Sequence, residues 1–220
     1  ALVAGPLICG VASRFDQHFL FRLIASQFVH AEYEGCRLWD LIMPSFMMMV
    51  GLSLPFSHAS RVRRGESEWR IRGHVLQRSI VFIFLGLLVS SNGRPETRFI
   101  FQGLLTQFGL AYLWAFLMVG RGLRSQCLTV AIILIGDWLA FFLYPTPLTA
   151  FDFRAVGVPD VTPFTGLFAH WNRGTNLAAE FDVSFLSLFP RPQPYRFEPG
   201  GHTLNFVPSI ATMTIGVIAG

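Results

Sequence analysis

Leu38-Trp39-Asp40-Leu41-Ile42-Met43-Pro44-Ser45-Phe46-Met47-Met48-Met49-Val50-Gly51-Leu52-Ser53-Leu54-Pro55-Phe56-Ser57 holds one ionisable residue, Asp40, at its entry and is otherwise apolar or small. A helix needs roughly 20 such residues to cross the hydrocarbon core of a bilayer. The stretch therefore reads as a membrane span, and similar runs follow along the chain. Ser79 to about Ser91 is short by itself and is expected to begin inside the Arg-rich helix before it. Ile100–Gly120 and Gln126–Tyr144 complete a set of four. Apolar runs at each end, ALVAGPLICGVAS and FVPSIATMTIGVIAG, read as two further spans, each expected to be cut. The expectation is an all-α, multi-pass transmembrane bundle of about six spans over residues 1–220, a single domain incomplete at both ends. Tight connections such as 121–125 imply antiparallel neighbours. No internal repeat or low-complexity tract is visible.

Composition agrees. The chain is 52% hydrophobic and 14% charged, with a mean hydropathy of +0.49, where soluble domains carry about 25% charged residues. Its 17 basic residues are all arginine. Cys9, Cys36 and Cys127 are too few and scattered for a disulfide framework or a zinc cluster. Cys9 and Cys36 could pair, but read equally as small packing hydrophobes. No spacing suggests a metal site.

Arginine placement orients the bundle. The 58–78 connection carries Arg61, Arg63, Arg64, Arg70, Arg72 and Arg78 against Glu66 and Glu68, and 121–125 carries Arg121 and Arg124 without an acid. The positive-inside rule places these connections in the cytoplasm and 14–37, 92–99 and 145–204 outside. The 145–204 segment balances Arg154, Arg173, Arg191 and Arg196 against Asp152, Asp160, Glu180, Asp182 and Glu198. Punctuated by PTP, FPRPQP and EPGG yet rich in aromatics, it reads as an ordered extracytoplasmic cap rather than a tether.

Ionisable groups at or inside spans are costly and so are functional candidates. Asp40 lies ten residues after His30, across a helix entry. A carboxylate there would fix the imidazole tautomer and leave the other ring nitrogen as a base; the alternative is an N-cap that fixes the helix start. Asp137 reads as a proton-relay site or as a neutral hydrogen-bond partner between helices. Gln77, Gln102 and Gln107 are expected to bridge helices, and Met47-Met48-Met49 to fill core or face lipid. His18, His58, His74 and His202 lack ligand-like spacing. The Arg-rich connection is either a topology determinant with a patch for anionic lipid or a holder of cofactor phosphates. No phosphate-binding glycine motif is present.

Several blocks in order carry a resemblance over nearly all of residues 26–220. They are His30 before Glu34-Gly35, Trp39 to Phe46, Val50 to Ser57, and Gln77-Arg78-Ser79 with Leu85-Gly86. Leu105 to Tyr112, Ala169-His170-Trp171-Asn172 and Asn205 to Met213 complete the set. Together they resemble the heparan-α-glucosaminide N-acetyltransferase family and its bacterial relatives among membrane acyltransferases. The resemblance implies transfer of acetyl from cytoplasmic acetyl-CoA to an amino sugar or glycan on the extracytoplasmic side, in an integral protein of the bacterial inner membrane. It implies His30 and Asp40 as the catalytic pair, Arg78 and Gln107 as cofactor contacts, and Glu34, His170, Trp171 and Asn172 as acceptor contacts. Two departures stand out. The asparagine some members carry shortly before the histidine has no clear counterpart, and Thr106-Gln107-Phe108 stands where many relatives have Leu-Gln-Arg. Membrane lipid is an expected partner, a homo-oligomer is left open, and nucleic acid is not expected. The rival reading is a secondary transporter, motivated by Asp137, the glutamines and a span broken by proline between 44 and 55; no paired repeat of the transporter kind is visible. A non-catalytic assembly subunit is the third.

Overall fold

A computed structural model of the chain describes residues 19–31, 35–146, 163–191, 193, 195 and 201–220. Among these the protein is helical without strands. It divides into two compact units, Ala1–Phe46 and Met47–Gly220. The first holds helix α1 (Phe19–Gln27) and the turn that follows it. Helix α2 (Ile42–Arg63) begins in the first unit and runs through the second. The second unit continues with α3 (Glu68–Ser91), α4 (Leu104–Phe116), α5 (Leu123–Leu143), α6 (Leu177–Leu186) and α7 (Phe206–Ala219). Two 3₁₀ turns, Gly166–Trp171 and Thr203–Asn205, precede α6 and α7.

Three helices are long and apolar enough to span a membrane: α2, α3 and α5. They bury little of themselves, 17%, 17% and 6% of their most apolar windows. Their outer faces carry Leu52, Phe56, Ile80, Phe84, Ile132 and Ile135, the pattern of helices solvated by lipid. The second apolar stretch does begin within the Arg-rich helix, at Glu68.

Three expectations need correction. The 58–78 connection is not a loop, because α2 continues to Arg63 and α3 starts at Glu68, so the arginines sit mainly on helix ends. Helical backbone satisfies its own hydrogen bonds, and arginine tips reach water from the ends of such helices. Nor is α2 broken by proline. Pro44 lies in the first turn, where its missing N–H is one of the unpaired donors anyway. Pro55 sits inside a helix that carries on for two further turns. The expected span Ile100–Gly120 is a helix of 13 residues. It starts after the extended Gly103 and gives way to a turn that closes on Gly120, at φ +75°. This helix can be short because protein, not lipid, surrounds it. Thr106, Gln107, Phe108, Gly109, Ala111, Tyr112, Ala115 and Phe116 are all buried.

Helix α4 packs on α3 and α7, and α7 also packs on α5. The crossings depend on small residues. A Cβ on Gly51 of α2 would collide with the Met213 carbonyl of α7, and one on Gly216 with the Met48 carbonyl. Between α3 and α4, a Cβ on Gly109 would lie 2.6 Å from the Ser79 carbonyl oxygen. Close backbone approach through small residues drives helix association where lipid removes the hydrophobic term.

Gly51→Val and Gly216→Val should each lower the melting temperature of the detergent-solubilised chain, by an overpacking cost of about 1–3 kcal/mol or more. Gly73, with open space around it, should accept Ala without loss and gain up to about 1 kcal/mol of helix propensity. Equal melting of Gly51→Val and wild type would exclude the close crossing.

Candidate functional site

In the first unit, the chain leaves α1, turns at Phe28 and returns through Arg37–Leu41. Trp39 N–H donates to the Gln27 carbonyl at 3.0 Å, and the Trp39 ring lies 6.0 Å from that of Phe28. This turn brings His30 to Asp40. His30 Nδ1 and Asp40 Oδ1 are 2.8 Å apart. The other carboxylate oxygen accepts from the backbone N–H of Arg37 at 3.0 Å and of Ala31 at 3.2 Å. The Arg37 guanidinium donates to the His30 carbonyl at 3.3 Å. Asp40 is therefore not a cap on α2, since its partners His30, Ala31 and Arg37 all precede it in the chain.

Burial pulls the Asp40 carboxyl upward. The hydrogen bonds from His30, Arg37 and Ala31, with the His30 charge, outweigh it and hold the group below the ordinary aspartate value. In the neutral form of the ring, an ionised Asp40 keeps the proton on Nδ1 and so leaves the lone pair on Nε2. The His30 side chain is 73% exposed and that of Asp40 25%. The pair thus presents a basic nitrogen to the surroundings on an imidazole whose orientation is fixed, with the Trp39 ring edge-on at 6.3 Å.

In the second unit, α2, α3 and α4 line a small pocket. Helical spacing sets its wall: His58 and Arg61 lie one turn apart on α2, and His74 and Arg78 on α3. Arg78 Nη1 donates to the Tyr112 hydroxyl at 3.2 Å. Arg61 pairs with Glu66 at 2.9 Å and His58 with Glu68 at 3.2 Å, while the His58 ring meets Phe116 edge-on. Leu54, Ile71 and Val75 close the apolar end. Two guanidiniums and two imidazoles converging beside an apolar floor suit a phosphate-bearing ligand.

The remaining expected residues serve elsewhere. Glu34 lies outside the described residues. Gln107 is fully buried, and its amide donates to the carbonyls of Phe101 at 2.8 Å and Thr203 at 3.1 Å. That is a tie between segments, as a helix-bridging glutamine makes. Gln77 is exposed. Asn172 is buried and gives both halves of its amide to the Phe164 backbone, at 2.7 and 3.0 Å, a contact that folds the chain. His170 is half-buried, its Nδ1 2.8 Å from the Tyr144 carbonyl. The Trp171 ring lies 5.8 Å from Trp138. Asp137 is half-exposed and has no hydrogen-bond partner among the described residues.

The contact between Asp182 and His202 was missed. Asp182 is 1% exposed; its oxygens lie 3.0 Å from His202 Nδ1 and accept the Thr203 N–H at 3.1 Å. The signal was an aspartate within the apolar helical run Leu177–Leu186, which calls for a buried partner. The partner stands twenty residues on, beyond a proline-rich segment, and its sequence position gave no hint of the fold that returns it.

Because the folded Asp40 pKa is depressed, its stabilising contribution is complete above the unfolded aspartate value and lost as pH falls through the folded one. Asp40→Asn should therefore melt below wild type at pH 7, with the gap closing in that acid window. A gap that does not change with pH would remove the ionised pairing.

The family model of heparan-α-glucosaminide N-acetyltransferase, catalytic, matches residues 15–166, well over half of the chain and inclusive of both clusters. The human heparan-α-glucosaminide N-acetyltransferase is 34% identical over 62 residues, 28% of this chain and 9% of the human protein. The mouse protein of the same name is 31% identical over 62 residues, 28% of this chain and 10% of the mouse one. The aligned part thus spans about a tenth of those relatives. The chain belongs to the heparan-α-glucosaminide N-acetyltransferase family of acetyltransferases.

Proposed function

We propose that the protein transfers acetyl from cytoplasmic acetyl-CoA to the amine of an amino sugar or glycan on the opposite side of the membrane, with His30 as the base. The observation that carries this reading is the His30–Asp40 pair, whose Nε2 is both basic and accessible. A sugar ammonium must lose a proton before it can attack. Nε2 takes that proton, and the amine nitrogen bonds to the thioester carbonyl carbon. The C–S bond breaks, and the departing thiolate receives a proton to leave as a thiol. As the amide forms, its nitrogen gives a second proton to Nε2, which passes it to the thiolate, while the proton first taken from the ammonium goes to solvent. Atoms and charge then balance with imidazole as carrier. Asp40 holds the tautomer and stabilises the imidazolium that forms. The same geometry serves a route in which Nε2 first accepts the acetyl group, so the base and nucleophile variants share one residue.

The pocket of Arg61, His58, His74 and Arg78 is the proposed seat of the donor's phosphates. The arginine asymmetry supports a cytoplasmic position for it. His30 precedes α2 in the chain, and the pocket's Arg61 lies in the last turn of that helix. The transporter reading has lost its broken helix, because α2 is continuous through Pro55.

His30→Ala in the full-length protein should cut single-turnover acetyl transfer by roughly 10²–10⁴ while the size-exclusion profile stays that of wild type. Near-normal transfer by that folded variant would end the mechanism. Arg78→Ala should act on the other substrate, raising KM for acetyl-CoA about tenfold with a smaller effect on kcat, as expected for loss of a charge-assisted hydrogen bond. An unchanged KM would take Arg78 out of the donor site.

A further inference from the structure

The short turn between α2 and α3 divides its charges unevenly. Its two carboxylates are committed: Glu66 to Arg61 at 2.9 Å and Glu68 to His58 at 3.2 Å. Arg63, Arg64, Arg70 and Arg72 are all exposed, and among the described residues none has a carboxylate within ion-pair reach. Four uncompensated guanidiniums therefore crowd one end of a pair of spanning helices, whichever leaflet that end occupies.

Beside them the exposed face of α3 is graded. Trp69, 84% exposed, stands at its first turn, Arg72 three residues on, and Leu76, Ile80 and Phe84 continue the same stripe, all exposed. These intervals of three and four residues keep them on one side of the helix. Indole at the top, guanidinium just below and apolar side chains beneath is the order in which a lipid presents headgroup and acyl chain. From Arg72 to Phe84 the helix rises about 18 Å, close to half of the roughly 30 Å hydrocarbon core.

We infer that the α2–α3 tip and the outer stripe of α3 form a binding site for one anionic phospholipid. Its phosphodiester lies on Arg72 and the neighbouring arginines, and an acyl chain runs along Leu76, Ile80 and Phe84. Guanidinium holds phosphate oxygens in a bidentate fork, and clustered arginines favour anionic over zwitterionic headgroups. Glu66 and Glu68, turned to the pocket side, leave the outer side free of competing acid.

The test is native mass spectrometry of the full chain in neutral detergent with phosphatidylglycerol or phosphatidylcholine of the same acyl chains. Wild type should retain phosphatidylglycerol about tenfold more than phosphatidylcholine, with a preference that falls as salt rises. Replacing Arg63, Arg64, Arg70 and Arg72 together by Ala should abolish the preference. The matching Lys variant, which keeps the charge, should retain most of it and controls for folding. Equal retention of the two lipids by wild type, or a preference that survives in the Ala variant, overturns the site. Glycerol 3-phosphate should not displace the bound lipid at millimolar concentration; displacement would mark a soluble-phosphate site and overturn the lipid assignment. The readout involves no acetyl transfer, so it stands apart from the catalytic proposal.

Discussion

The Met213 carbonyl occupies the space that a Cβ on Gly51 would need, and the Met48 carbonyl does the same at Gly216. This backbone-to-backbone crossing of α2 and α7 is the constraint on which the second unit depends. In lipid, apolar side chains gain nothing by leaving one hydrocarbon for another, so helices associate through van der Waals contact and hydrogen bonds. Glycine permits both by removing the spacer. The α3–α4 crossing repeats the device at Gly86 and Gly109. It follows that the interior can be built from the two short helices, with the long ones as an outer layer whose exposed leucines and phenylalanines need no protein partner.

A protein-lined interior also accommodates polar groups that lipid would penalise. Thr106 Oγ1 donates to the Phe101 and Gly103 carbonyls, and Gln107 reaches Phe101 and Thr203. Asp182 accepts the Thr203 N–H from the turn that leads into α7. These bonds fix where α7 starts, and so the register in which Gly216 meets α2. Removing one partner would leave a buried group unsatisfied, which costs more than the bond itself contributes. The polar interior and the glycine crossings thus hold the same helix from its two ends.

Much of this was legible in the sequence. Length and hydropathy are enough to place α2, α3 and α5, because a spanning helix exposes its apolar side chains all round. Spacing left the His30–Asp40 contact open beside an N-cap on α2, and the structure shows the contact. Helix α4 was drawn too long, because hydropathy does not distinguish a residue facing lipid from one facing protein. The 58–78 connection was drawn across residues that α2 and α3 take up, because the apolar runs stop where the arginines start, whereas long cationic side chains extend a helix into the headgroup layer. Gln107 and Asn172 are both buried and hold backbone groups, a role that no linear pattern reveals. Asp182 and His202 were missed because their pairing depends on tertiary return over a proline-rich segment.

The acids that flank α2 give its two ends different chemistry. Asp40 is held below its ordinary value by three donors, one of them His30, and that arrangement orients the imidazole with its far nitrogen free of the contact. At the other end Glu66 and Glu68 are set against groups that carry, or can carry, positive charge. Under the proposed function, a phosphate arriving at Arg61 replaces a carboxylate rather than a full water shell, so the guanidinium has already been drawn out of water by folding. Arg78 donates to the neutral Tyr112 hydroxyl and has no carboxylate competitor among the described residues. Donor binding would then begin at Arg78 and extend to Arg61 by exchange of anions. An exchange of this kind lets the product leave again, because the carboxylate is held in place to reclaim its cation.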